Sequence, residues 1–131
     1  MLQLVYLSAA TEIAPDVSEL AEQSAPRNAA EEITGVLMLS GGHYLQVLEG
    51  PKEVVEDAFL RIIGDPRHDQ LNLLARSLVT ARQFGSRSML PVVTMEGQKK
   101  TIDRVRALLV NATHELRTLF ELKFGSLPAA L

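Results

Sequence analysis

The chain contains no cysteine, and that absence removes several chemistries at once. A disulfide framework, thiolate metal sites and cysteine nucleophiles are excluded, and the composition fits a reducing cytoplasm. The histidines, His43, His68 and His114, are too scattered to suggest a metal site. No apolar run approaches a membrane span, and the opening Met-Leu-Gln-Leu-Val-Tyr has no positive region ahead of an apolar one, so neither membrane association nor a leader is expected. The net charge of −3 and the lack of a basic run give no reason to expect nucleic acid as a partner. Dinucleotide and phosphate-cradling glycine motifs are missing too. What is there is 131 residues with 47% hydrophobic and 22% charged side chains, enough for one soluble domain with a core that needs no staples.

The most informative stretch runs from Ile33 to Gly50. Ile33 to Leu39 is a nearly unbroken apolar run ended by Ser40, Gly41 and Gly42, and Tyr44 to Leu48 is a second run closed by Gly50 and Pro51; together they read as two strands and a tight turn. Gln46 does not belong in such a run. An amide buried between Leu45 and Val47 needs partners, since leaving it unpaired costs about 1 to 3 kcal/mol. The fold is expected to bring something polar to it.

Upstream, residues 2 to 8 alternate as a strand does, with Leu2, Leu4, Tyr6 and Ser8 on one face. Asp16 or Ser18 is suited to cap a helix running towards Asn28, and Pro26 is expected to end, kink or restart it near Ala25. Pro51 suits the first position of a second helix, whose apolar face is Val54, Val55, Ala58, Phe59, Ile62 and Ile63 and which Gly64 ends. Leu71 to Thr80 and Ser88 to Met95 read as further strands. Gly97 to Lys100 reads as a polar break before two short helices, one from near Thr101 and one after Thr113, with exposed-looking apolar stripes.

This order gives a fold class of α+β: a ferredoxin-like sheet (βαββαββ) with two helices on one face, plus two short C-terminal helices. Residues 1–95 form the main unit and 96–131 a helical extension within the same compact body. First and third strands are usually neighbours in this architecture, which would let Tyr6 and Gln46 meet. Tyr6, Asn28, Gln46 and Met89 supply a phenol, two amides and a thioether from separate elements. Such a set suits the polar edge of a heteroaromatic ring better than a hydrolytic or metal-assisted reaction.

Ile33-Thr34-Gly35 followed by Tyr44-Leu45-Gln46-Val47-Leu48-Glu49-Gly50 resembles the BLUF domain, a family of blue-light sensors that bind flavin. Tyr6 on the first strand, Asn28 five residues before Ile33, Gln46 and the Ser88-Met89 pair fall at matching positions, and the resemblance covers residues 2 to about 95. It implies a flavin-binding photoreceptor in which Tyr6, Gln46 and Met89 carry the photochemistry, with no enzymatic turnover. The cofactor would be FAD or FMN, and Tyr6, Leu20, Asn28, Gln46, Arg61, Ile62, Asp65, Arg67 and His68 would surround it. Leu20 and Ile62 would pack on the ring, and Arg61 would meet the polar tail. The resemblance further implies that Tyr6 gives up and recovers an electron and a proton, leaving Gln46 rotated or tautomerised. The signal would pass to a homo-oligomer or to an unidentified downstream signalling protein.

Three departures from the family stand out: Glu32 replaces the usual glycine before Ile-Thr-Gly, Pro26 lies two residues before Asn28, and Arg87 stands where tryptophan is frequent. They motivate the alternative of a light-insensitive ferredoxin-like protein-interaction module with a degraded flavin site. A small acyl phosphate hydrolase using Arg61 and Asn28 is a weaker alternative, because Arg61 falls late in a helix and not in an anion-cradling loop.

Overall fold

The computed structural model describes residues 1–11, 16–84 and 88–125. Its elements are β1 (Leu2–Ala10), α1 (Val17–Ala30), β2 (Thr34–Ser40), β3 (His43–Gly50), α2 (Lys52–Ile63), β4 (His68–Leu78), β5 (Leu90–Val92), α3 (Met95–Leu108) and α4 (His114–Phe120), with α4 continuing into a π-helical turn over Glu121–Gly125. The strands form one sheet in the order β4-β1-β3-β2-β5. β1, β2, β3 and β4 pair antiparallel, and β5 adds to β2 in parallel. The expected adjacency of first and third strands is therefore present, and Tyr6 faces Gln46 directly in register.

The β2–β3 hairpin turns through Gly41 and Gly42 at φ of 57° and 79°, a pair of left-handed residues that matches the twist of the flanking strands. Gly35 is required for a different reason. A Cβ there would stand 2.0 Å from the carbonyl oxygen of Val47, so β2 and β3 approach as closely as they do only because the side chain is missing.

Side chains alternate cleanly between two apolar layers. Leu2, Leu4 and Tyr6 of β1, Leu37 of β2 and Tyr44 and Leu48 of β3 pack with Val17 and Ala21 of α1 and Val55 and Ala58 of α2. The intervening Val5, Leu7, Val36, Met38, Leu45 and Val47 pack on the other face with Ile102, Val105, Leu109, Phe120 and Phe124. The stripes of the C-terminal helices are thus buried against the sheet rather than exposed. Both faces of the central strands are covered, which explains why β2 reads as a continuous apolar run and not as alternation.

Several boundaries differ from the sequence expectation. α1 runs through Pro26 without ending; the carbonyl that Pro26 leaves unbonded belongs to Glu22, and both residues are exposed, where water serves as partner. Pro51 is the N-cap of α2 and not its first residue. The final strand shrinks to Leu90–Val92, because the Thr94 hydroxyl accepts from Gly97 N at 3.0 Å and starts α3 six residues before Thr101. The stretch from Gly97 to Lys100, polar enough to suggest a break, lies within the first turns of that helix, where Lys99 and Lys100 are exposed and Gln98, half-buried, donates to the carbonyls of Leu39 and Val92. Asp16 and Thr113 cap α1 and α4 as their positions suggest.

Candidate functional site

Between the sheet and the paired helices α1 and α2 lies a cavity of about 280 Å³. Of the residues singled out from the sequence, Leu20, Asn28, Gln46, Arg61, Ile62, Asp65, Arg67 and His68 all line it. Tyr6 and Met89 lie just behind, buried in the apolar layer on the same face. The sequence signal missed Gln23, Ser24, Arg27, Leu37, Tyr44, Leu48 and Ala58, which complete the wall. Leu20, Gln23, Ser24, Arg27 and Asn28 recur at the spacing of one helix face. That face is mostly polar, so it does not register as a core stripe.

The back wall is held by β1 and β3. Tyr6 is fully buried, its ring meets Phe59 of α2 edge-on at 5.2 Å between centroids, and its hydroxyl has no hydrogen-bond partner among the described residues. Burial pushes the Tyr6 phenol well above its ordinary value, and the charge of Asp65 pushes the same way. Among the described residues, the Gln46 amide likewise makes no side-chain hydrogen bond, although it lines the cavity. A phenol and an amide, directly opposed across β1 and β3, are thus both without a side-chain hydrogen bond among the described residues.

The two side walls are braced. Asn28 donates from Nδ2 to the carbonyl of Ser88 at 2.8 Å, which fixes the residue before Met89 to α1. His68 Nε2 lies 2.6 Å from the carbonyl of Ile62, which only accepts, so Nε2 carries the proton; Nδ1 meets the Ser8 hydroxyl at 2.9 Å. His68 therefore ties β1 to the end of α2 at the position of Ile62. Arg67 donates to the Asp65 carboxylate and to Gln23 Oε1, and that hydrogen bond, ahead of the opposing effect of burial, holds the Asp65 carboxyl below the usual carboxylate range. Arg61 donates from Nη2 to both oxygens of Glu31, at 3.0 and 3.2 Å, and Arg27 donates to the same carboxylate.

Two of the family departures are accommodated, and Arg87 lies outside the described residues. Glu32 has φ of 60°, a left-handed conformation that glycine adopts freely, which accounts for a glycine there in the family. Arg82 donates to the Glu32 carbonyl, the Thr34 hydroxyl and the Glu49 carbonyl, each at 2.8 Å, and holds the chain in that shape.

These residues fit a flavin ring. The site offers an orphaned phenol, an unpaired amide, a second amide, apolar Leu20 and Ile62 on facing helices and guanidinium groups at one side, which is the donor set that a planar, amide-edged ring with a polar tail requires.

The family model for BLUF, "Sensors of blue-light using FAD", matches residues 1–90. The photoactivated adenylate cyclase subunit beta of Euglena gracilis is 36% identical over 95 residues, 71% of this chain but 11% of that protein. Among solved structures, the BLUF domain of BlrP1 superposes with a TM-score of 0.69 at 27% identity, covering 93% of this chain and 88% of that one. Klebsiella pneumoniae BlrP1 with FMN and cyclic diGMP gives a TM-score of 0.68 at 27% identity, covering 93% of this chain and 34% of the other. The chain spans only a small part of the cyclase relative. From its matched residues and its fold, the chain belongs to the BLUF family of flavin-based blue-light sensors.

Proposed function

We propose that this chain is a blue-light photoreceptor that binds FAD or FMN non-covalently and signals by rearranging a hydrogen-bond network, without turning over a substrate itself. The observation that carries this is the register pair Tyr6 and Gln46, whose buried hydroxyl and cavity-lining amide have no partner within the described protein. Bound flavin supplies blue-light absorption and an electron acceptor. With flavin bound, Tyr6 would be the residue that gives up an electron and a proton and recovers both. Gln46 ends rotated or tautomerised, with its amide presenting a different edge to the cavity. Asn28 and Gln46 would hold the polar edge of the ring, Leu20 and Ile62 would pack on it, and Arg61, Asp65, Arg67 and His68, which line the same cavity, would meet its polar tail.

The switch is small, since one hydrogen bond is worth about 0.5 to 1.5 kcal/mol net, so the output is a population shift in an element already near balance. Met89 is the exit we favour: Asn28 anchors the residue before it, and the chain then enters β5 and α3. The receiver is a second copy of this chain or a separate signalling protein, with residues 1–95 as sensor and 96–131 as the extension that carries the change. We infer a cytoplasmic setting without membrane or nucleic acid partners; no helix among the described residues is long and apolar enough to cross a membrane.

The deciding experiment is the absorption spectrum of the purified protein before and after blue light, repeated with Tyr6→Phe and Gln46→Leu. A flavin band that moves reversibly to the red in the parent and stays put in both variants is the expected result. A protein that takes up no flavin, or whose flavin ignores light, overturns the photochemical assignment and leaves an interaction module.

A further inference from the structure

Glu49 is a completely buried carboxylate that does not line the cavity. It follows Val47 by two residues on β3, so it shares the sheet face that turns away from the cavity. What it holds there is the crossover from β4 to β5. Those two strands lie at opposite edges of the sheet, so the chain between them has to pass the ends of β1, β3 and β2. Among the described residues, 80–84 make no hydrogen bond from backbone to backbone; side chains hold them instead. Glu49 Oε1 accepts from Gln83 N and Phe84 N at 3.0 and 2.8 Å, and Gln3 donates to Gln83 Oε1 at 3.0 Å. The Phe84 ring is thereby set in the second apolar layer, with the Arg104 guanidinium of α3 4.4 Å from its centroid. Four residues on, Asn28 holds the Ser88 carbonyl. Met89 therefore follows a tether of about 14 Å at full extension, fixed by Glu49 at one end and by Asn28 at the other.

We propose that Glu49 is a positioning residue which, acting through the crossover, restrains Met89 and so prolongs the life of the rearranged Tyr6–Gln46 pair. This rests on the photoreceptor reading above. Met89 packs in the same buried layer as Tyr6, and Gln46 can return only as its packed neighbours give way. A neighbour tied at both ends gives way less readily than one tied at a single end. The two ties differ in one respect. Asn28 lines the cavity and Glu49 does not, so loss of the Glu49 tie frees Met89 without altering any contact to the flavin.

The test compares the parent with Glu49→Gln, Arg104→Gln and Phe120→Leu. Glu49→Gln keeps the volume but offers only one oxygen to the two backbone N–H groups. Arg104→Gln loosens Phe84 from the α3 side. Phe120→Leu lowers overall stability in the same apolar layer, at α4, and controls for a merely structural effect. Two rates are measured: trypsin cleavage after Arg82 in flavin-free protein, located by mass, and the dark return of the flavin band after blue light. Both are expected to rise about tenfold in Glu49→Gln, the equivalent of one hydrogen bond to a charged group, and about threefold in Arg104→Gln. Phe120→Leu should leave both within about twofold, and the size of the red shift should be the same in all four proteins. Unchanged or slower return in Glu49→Gln, or equal acceleration in Phe120→Leu, overturns the proposal while leaving the flavin site standing. Unchanged cleavage after Arg82 in Glu49→Gln shows that the carboxylate does not hold the crossover, and overturns it as well. A parent that ignores light removes the photoreceptor reading and takes this role of Glu49 with it, a result separate from the others.

Discussion

Tyr6→Phe separates two consequences that a hydroxyl group usually confounds. The hydroxyl is fully buried and has no partner among the described residues, so in flavin-free protein it is expected to carry a desolvation cost with no hydrogen bond to offset it, about 1 to 3 kcal/mol for such a group. Phenylalanine keeps the ring and its edge-on contact with Phe59 and creates no cavity. The flavin-free variant is therefore expected to be more stable than the parent by about 1 kcal/mol, a rise in Tm of about 3 to 6 °C for a domain of this size, even though its photoresponse is lost. A second arm follows from the phenol being pushed above its ordinary value. A group whose folded pKa is raised contributes stability that is complete below the unfolded value, about 10, and is lost as pH rises from there towards the folded value. The parent should lose stability on that alkaline limb, and Tyr6→Phe should lose less. Urea unfolding of both flavin-free proteins, at neutral pH and above pH 10, measures both effects. A variant destabilised by 1 kcal/mol or more at neutral pH would show that the hydroxyl is bonded within the protein, and the argument that it waits for the cofactor would fail.

Glu32→Gly should stabilise by about 1 kcal/mol, because it relieves a left-handed residue at φ of 60° at the expense of some unfolded-state entropy; the urea midpoint should rise at unchanged slope. Glu49→Ala should destabilise by about 3 kcal/mol or more. The Glu49 carboxylate is completely buried and accepts from Gln83 N, Phe84 N and the Gln3 amide; truncation removes this acceptor from both backbone N–H groups and leaves the Gln3 amide with Gln83 Oε1 alone, and chemical denaturation would detect it. Asp65→Asn should flatten the acid limb of the stability profile. A carboxyl held below its usual range adds stability that is present above about pH 4 and lost as pH falls through the lowered value, so stability measured between pH 5 and pH 2 should fall less steeply in the variant.

The sequence exposes those parts of the site that break a pattern. Gln46 interrupts an apolar run, and the cost of burying an unpaired amide is enough to predict a polar neighbour; the sheet order then supplies Tyr6. Glu49 interrupts the same run three residues later and escapes notice, because at the end of a strand a carboxylate ordinarily reaches water. Here the chain after β4 folds over it and presents two backbone N–H groups, a partner no local pattern encodes. α1 conceals its role in the opposite way. Leu20, Gln23, Ser24, Arg27 and Asn28 share a face, but most of that face is polar, so periodicity reads it as the solvent side and Pro26 suggests a break. A helix that covers apolar side chains shows its inner face in the sequence; one that covers a cavity for a polar-edged ligand does not, since its inner side chains are chosen for the ligand. The same logic applies to the C-terminal helices. Their stripes are plain in the sequence, but where they dock depends on the second face of the sheet, and only the apolar content of Val5, Leu7, Val36, Met38, Leu45 and Val47 reveals that this face must also be covered. Two-sided burial of β2 and β3 is therefore the legible sign that α3 and α4 complete the core.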